Sequence, residues 1–257
     1  MGRAKDIIVK PIVAADANRI IRALHYSKKT VQNSQIHLGV FLDGRCGGAM
    51  QFGPSLDKRK LLRLVAGTKW NEFIELNRLA FAEWLPRNGE SRCLGYAMRY
   101  IRRTYPWLKW VVSFADAAQC GDGTIYRASG FILTAITRTR ELIRLPTGEV
   151  VHRSALNTSK GNAISGGGKY GRAEWIRRTG GVPIEGYSLR YLYFLHPACR
   201  LRLAVPIIPF SEIALHGAKM YLGKRAASET VDTSEVHSEE RGSIPTAALQ
   251  NGPIKTV

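Results

Sequence analysis

The sequence predicts an α/β fold with a mixed central sheet flanked by helices, and three observations lead there. Strand-length apolar runs alternate along the chain with segments apolar at helical spacing. Two apolar runs, Ile36–Leu42 and Gly47–Gly53, flank Asp43-Gly44, which is a hairpin signal. The run WVVSFAD, Trp110–Asp116, is nearly all apolar and ends in a carboxylate, as expected of a buried strand that delivers Asp116 at its C-terminal end.

The elements follow in order. Ile7–Val13 (IIVKPIV) reads as a first strand, and Ala14–His25 as a helix with Ile20, Ile21 and Leu24 at helical spacing. After the hairpin, Leu56–Val65 is short, basic and expected to be helical, and Phe73–Phe81 reads as a strand. Glu90–Tyr105 sets Leu94, Ala97, Met98 and Ile101 on one helix face, and Pro106 ends the helix because it lacks an N–H and clashes with the preceding turn. Trp110–Ala115 is the next strand and Thr124–Ser129 a short helix. Gly130–Thr137 and Glu141–Leu145 read as strands, 146–149 as a turn, and Val150–Arg153 as a further strand. Residues 154–171 (SALNTSKGNAISGGGKYG) read as a Gly/Ser/Lys-rich loop that orders on a ligand. Leu189–Leu195 is a late aromatic strand. One domain over residues 5–222 is expected, with a polar tail, 223–257, that lacks periodicity and is expected to be disordered.

Composition narrows the function. The 257 residues carry a formal net charge of +18, and from Lys224 onward four Lys/Arg face five Asp/Glu, so the excess sits in the body. A body so basic repels itself, which points to a polyanionic partner, with nucleic acid foremost and a merely soluble basic protein as the plainer alternative. No apolar run approaches the ~20 residues of a membrane span, so no membrane partner is expected. MGRAKDIIVK lacks the apolar core of an export signal, which makes the cytoplasm the expected location. The four cysteines include no Cys-x-x-Cys pair, which excludes a zinc ribbon. Gly-x-Gly-x-x-Gly, Asn-Pro-Pro-Tyr, Walker and zinc-deaminase motifs are absent as well.

Several clusters are chemically suggestive. Arg87-Asn88-Gly89-Glu90-Ser91-Arg92 follows a strand and opens a helix, where backbone N–H groups can hold an anion and Gly89 can let the chain approach it. The plainer reading is an ordinary helix start capped by Ser91. His25-Tyr26 ends the first helix and puts a titratable base beside Lys28 and Lys29. A strand arginine, Arg78, needs an anionic partner, either Glu75 or Asp116 or a substrate group. Lys58, Arg59, Lys60 and Arg63, with Lys28 and Lys29, form the densest basic set and suit phosphates. Asn33 and Gln35 carry amides of the kind that pair with an adenine edge.

Tyr126-Arg-Ala-Ser-Gly130-Phe131, after a central strand, resembles the last block of the Gcn5-related N-acetyltransferase superfamily, where the tyrosine often acts as a general acid. That superfamily holds a donor pyrophosphate on a Gly-rich turn; here Arg87 and Gly89 match it, while Ser91 and Arg92 stand where small residues are usual. Taken together, LHYSKKTVQNSQIHLGVF, MQFGPSLDKRK, WNEFIELNRLAF, PRNGESR, WVVSFADAAQCGDGTIYRASGF and RYLYFLHPACRLRLAVPIIPF resemble the Mom family of bacteriophage DNA-modification proteins, from about Ile8 to Phe210. The resemblance implies an acetyltransferase-like fold. It also implies conversion of adenine in double-stranded DNA to N6-(carbamoylmethyl)adenine, which shields phage DNA from restriction enzymes. It places candidate active-site residues at His25, Tyr26, Arg78, Ser91, Asp116 and Tyr126, and links the chain to a coenzyme A-type donor and to iron, with His25 as the candidate metal ligand. No two-His-one-carboxylate spacing is visible, but His25, Asp116 and Tyr126 are the residues expected to converge in space.

The resulting expectation is that a flipped adenine loses a proton to Asp116 or His25, that Tyr126 protonates a leaving group or orients the donor, and that Ser91 and Arg92 hold the donor's anionic part. Arg78 would organise the carboxylate. The rivals are an acyl-CoA-dependent N-acetyltransferase acting on a protein or small amine, and a non-catalytic DNA-binding protein.

Overall fold

A computed structural model describes residues 3–152, 171–221 and 224–225. The chain divides into a unit Met1–Ala226 and a unit Ala227–Val257, the second of which lies outside the described residues. So do the expected disordered tail, apart from residues 224–225, and the expected loop over 154–171, apart from Gly171.

The first unit is a mixed sheet flanked by helices. Eight strands run in the order β1-β2-β3-β4-β5-β8-β6-β7. They are β1 (Ile8–Pro11), β2 (Ile36–Leu42), β3 (Arg45–Gly53), β4 (Phe73–Phe81), β5 (Trp110–Asp116), β6 (Ile132–Arg144), β7 (Val150–His152) and β8 (Val182–Phe194). Only β4 and β5 pair in parallel; the other neighbours are antiparallel. The parallel pair is joined by helix α3 (Gly89–Thr104), after α1 (Ala14–Leu24) and α2 (Lys58–Leu61) earlier in the chain. A parallel pair needs such a crossover, whereas the antiparallel β2–β3 pair turns directly at Asp43-Gly44.

The helices sit where their apolar faces direct them. Cys93, Leu94, Ala97, Met98 and Ile101 of α3 are buried in the main core, and each large side chain contributes about 1.5–3 kcal/mol through burial. Ile21 of α1 packs with Ala49 of β3 and Ala80 of β4, small residues that let the helix approach the sheet closely. β5 lies between two strands, and four of its first five residues need no alternation because both its faces are covered.

Some elements differ from the sequence expectation. The two strands expected over 130–145 are one long strand, β6, whose register shifts between Leu133/Ala135 and Thr139/Leu142; such bulges break the apolar alternation that the sequence displays. The late strand, β8, begins at Val182 rather than Leu189; Pro183 and Gly186, residues that weaken a strand signal, lie in its first half. A helix at Arg172–Thr179, which the sequence reading did not anticipate, buries Trp175 against Ile143 and Val151. The basic segment expected to be helical is a single α turn, Lys58–Leu61, followed by a 3-10 turn, Leu62–Leu64.

One feature of the sheet prepares the site. β4 and β5 pair only from Phe73↔Trp110 to Leu76↔Ser113. Beyond that point β4 stays with β3 and β5 stays with β8, so the two strands part. A register shift in the β3–β4 pairing leaves Asn77 opposite no partner, which bends β4 at the parting.

Candidate active site

The parted strands open a cleft of about 730 Å³. Five of the residues singled out from sequence line it: His25 and Tyr26 from the end of α1, Arg78 from β4, Asp116 from β5, and Tyr126 from α5 (Thr124–Ala128). Each arrives for a local reason. α1 ends because His25 adopts extended backbone angles, φ −74° and ψ 137°, which turn its ring off the helix. Asp116 ends its strand as the N-cap of α4 (Ala117–Cys120), and its Oδ1 accepts the Ala118 N–H at 3.0 Å. Tyr126 is carried by a helix whose N-cap, Gly123, has φ 71°.

Burial sets the electrostatics. It depresses the His25 pKa to about 4, with the Arg78 charge acting in the same direction, so the ring is neutral near pH 7. The Ser27 backbone N–H donates to His25 Nδ1 at 3.1 Å, so in the neutral ring the proton sits on Nε2. His25 therefore presents a donor to the cleft rather than a base. Burial raises the Asp116 carboxyl above its ordinary range, while the amides of Ala118 and Gln119 and the nearby His152 pull the other way. Glu75 is also raised by burial, against hydrogen bonds from Ser55 and Asn77 and the charge of Arg78.

Arg78 does not meet its expected anionic partner. Its Nε donates to the Lys29 carbonyl at 2.9 Å and its Nη1 to the Asn77 carbonyl at 2.7 Å. No carboxylate of the described residues is within ion-pairing distance, because neutral carbonyls turned inward at the strand bend already hold the guanidinium. Burial lowers its pKa, and Tyr26 and Glu75 partly restore it.

The sequence reading missed the residues that hold Tyr126. Ser113 Oγ donates to the Tyr126 hydroxyl at 2.9 Å, and the Tyr126 ring stacks on Tyr191 with centroids 4.8 Å apart. Tyr191 Oη in turn donates to the Asp122 carbonyl at 2.5 Å. Ser113 was findable, as the one polar residue inside the buried WVVSFAD run; Tyr191 was not, because its partners are 65 and 69 positions away.

The other sequence-predicted residues lie elsewhere. Arg87, Asn88, Ser91 and Arg92 line a separate groove of about 640 Å³ with Lys5 and Arg99. Ser91 is thus apart from the other motif residues, and α5 stands between the two hollows, with Tyr126 facing one and Ala128 the other. The start of α3 carries no side-chain cap: Asn88 is left-handed, φ 64°, and Ser91 Oγ donates to the Asn88 carbonyl instead of receiving an amide. The uncapped amides and surrounding cations fit the phosphates of an acyl-CoA-type donor. Gly89 serves packing, since a Cβ there would come within 2.8 Å of Ile7 Cδ1.

Lys28, Lys29, Arg59 and Arg63 are exposed, and no ion pair involves them among the described residues. Lys58 is half-buried over the Trp70 ring, 4.9 Å from its centroid, and Lys60 pairs with Asp57 at 2.8 Å. Asn33 Nδ2 donates to the Pro54 carbonyl at 2.6 Å, which ties one of its amide hydrogens to the fold, and Gln35 lines a separate hollow. Among the described residues no three of His, Cys, Asp and Glu converge to hold a metal ion, and His25 Nδ1 already accepts an amide. A metal site built from His, Cys, Asp and Glu alone is therefore absent among the described residues, while His25, Asp116 and Tyr126 line one cleft.

A sequence profile described as the Mom protein family matches residues 6–212. Over 201 residues the chain is 35% identical to the methylcarbamoylase Mom of Escherichia phage Mu, covering 78% of this chain and 80% of that protein. Among solved structures, the chain is similar to an N-acetyltransferase from Staphylococcus aureus, with a TM-score of 0.42, 11% identity and coverage of 74% and 98%. It is also similar to an acetyltransferase from Elizabethkingia anophelis with acetyl-CoA bound, with a TM-score of 0.39, 13% identity and coverage of 72% and 97%.

Proposed function

The chain belongs to the Mom protein family, and on that footing we propose that it modifies phage DNA, converting adenine in duplex DNA to N6-(carbamoylmethyl)adenine and so protecting it from host restriction endonucleases. The observation that carries the reading is the convergence of His25, Tyr26, Arg78, Asp116 and Tyr126 in one cleft, within a chain 35% identical to the phage Mu methylcarbamoylase. The net charge of +18 supports a nucleic-acid substrate, and the host cytoplasm is where phage DNA would be met. No described helix is long and apolar enough to cross a membrane.

The residues divide the work as follows. An adenine must leave the stack before its exocyclic amine can reach the cleft. That amine is a weak nucleophile, since its lone pair is delocalised into the ring, and it needs a base as positive charge builds on nitrogen. Asp116 takes that proton; its raised pKa brings it nearer the matching point for proton transfer. His25, with its proton on Nε2, donates a hydrogen bond that orients the base or the donor. Tyr126 gives a proton to the leaving side, and the Ser113 hydrogen bond to its oxygen supports the charge left behind. Arg78, already held by two carbonyls, supplies fixed positive charge at the cleft wall.

Arg87, Arg92, Arg99 and the start of α3 would hold the phosphates of a coenzyme A-type donor. The N6–CH2 bond of the product requires that the donor present a CH2 carbon beside a carboxamide, with the leaving group on that carbon, because attack on an acyl thioester would give an N6-acyl adenine instead. The test is mass spectrometry of nucleosides from plasmid DNA, with and without expression of this protein. A deoxyadenosine heavier by a carbamoylmethyl group is expected, and it should vanish in Asp116→Asn. An unchanged nucleoside profile with soluble protein present would replace this reading with an N-acetyltransferase or a non-catalytic DNA binder.

A further inference from the structure

Leu56 is 97% exposed, more than any other large apolar side chain among the described residues. A single exposed leucine is ordinary; the position of this one is not. It lines the cleft that holds His25, Asp116 and Tyr126, and it also lines a neighbouring hollow with Lys58, Arg59 and Trp70. Leu56 therefore caps the ridge between the two.

The loop beneath it is braced at every step. Asn33 Nδ2 donates to the Pro54 carbonyl at 2.6 Å. Gly53 packs so closely that a Cβ would be 2.4 Å from the Asn33 carbonyl and 2.7 Å from Asn77 Oδ1. Ser55 hydrogen-bonds to Glu75, and Asp57 pairs with Lys60. A side chain held out on a braced loop loses little freedom when it is used, whereas a floppy one would have to be ordered first. Exposed cations belong to both hollows that Leu56 lines: Lys28 and Lys29 are on the turn whose carbonyl holds Arg78 of the cleft, and Arg59 lines the neighbouring hollow. This is the layout of an apolar wedge between two phosphate contacts.

We propose that Leu56 enters the base stack beside the target adenine and holds the duplex open while that adenine occupies the cleft. The proposal rests on the DNA-modification reading. It makes Leu56 a positioning residue, acting on the extrusion step and not on proton transfer. Replacing it leaves the core untouched, so thermal melting of Leu56→Ala should match the parent chain.

The test uses the full chain and a duplex copied from a plasmid site found to be modified. The target adenine is replaced by 2-aminopurine, whose fluorescence rises when it unstacks. With thymine opposite, the parent chain and Leu56→Met should raise the signal several-fold. Leu56→Ala should bind the duplex equally well yet lose most of that rise, and recover it when an abasic site stands opposite. In cells, plasmid adenine modification should fall at least tenfold for Leu56→Ala and persist for Leu56→Met. If the parent chain modifies adenine and Leu56→Ala equals it in both assays, or the parent chain modifies adenine without unstacking the probe, the wedge is wrong. If the parent chain modifies no adenine at all, the underlying reading fails, and the wedge with it.

Discussion

Ser113 Oγ donates a 2.9 Å hydrogen bond to the Tyr126 hydroxyl; both side chains are buried, and Tyr126 lines the cleft where β5 parts from β4. A serine in the middle of a buried apolar strand needs a partner, and this partner is the group proposed to give up a proton. Removing the donor should cost the reaction more than the fold. Ser113→Ala is expected to slow modification about tenfold, equivalent to ~1.4 kcal/mol, with melting lowered only slightly. The early accumulation of modified adenine in plasmid DNA measures this.

Asp116 has a structural task as N-cap of α4 and a proposed chemical one, and two substitutions separate them. Asparagine still accepts the Ala118 N–H, so Asp116→Asn should keep its melting temperature while losing modification. Asp116→Ala should lose modification and about 1 kcal/mol of stability as well. Retained modification in Asp116→Asn would remove this carboxylate from the mechanism. With Asp116 as the base, activity should fall as pH drops through its raised pKa, at a pH above the ordinary carboxylate value of 3.8.

His25 titrates at about 4 in the folded chain and near 6.5 when unfolded. Between these values the unfolded chain binds a proton that the folded chain does not, so stability is fully present above pH 6.5 and declines toward pH 4. The full contribution is roughly 3 kcal/mol. His25→Gln should flatten stability against pH in that window, as measured by urea unfolding at pH 7.5, 5.5 and 4.5. An unchanged slope would mean that His25 does not carry it.

Gly123 has φ 71°, and a Cβ there would be 2.6 Å from the Tyr191 hydroxyl. Gly123→Ala therefore displaces the ring on which Tyr126 stacks, as well as straining the backbone. Destabilisation of about 2 kcal/mol is expected, together with loss of modification beyond what the stability change explains. Calorimetry and nucleoside analysis on the same variant would show whether the two losses are separate.

Two lysines of the predicted basic set should behave differently on DNA. Lys29 is exposed and Lys60 is paired with Asp57. Lys29→Ala is expected to weaken duplex binding and to reduce the salt slope by about 0.9 if one phosphate contact is lost. Lys60→Ala should change that slope less, because its charge is already balanced locally. Binding isotherms at several salt concentrations decide between them.

Periodicity and turn chemistry alone exposed the strand–helix–hairpin order, the buried face of α3 and the placement of Asp116 at the end of β5. These depend on neighbours along the chain, which the sequence shows directly. β6 escaped because its bulges break the alternation that marks a strand, and the Arg172–Thr179 helix because its one buried aromatic gives almost no stripe. The motif residues were legible one by one, and the resemblance grouped them.

How those residues are shared between two hollows was decided by the tertiary structure. The parting of β4 from β5 puts His25, Tyr26, Arg78, Asp116 and Tyr126 in one cleft and leaves Ser91 across α5 in the other. The same packing commits Asn33 to a loop carbonyl, binds Arg78 to two carbonyls in place of a carboxylate, and directs the His25 proton to Nε2. The sequence by itself determined which chemical groups the chain carries and which local elements bear them. Which group faces which, and with what charge, depends on burial and on hydrogen bonds between residues tens of positions apart, and only the folded chain brings these about.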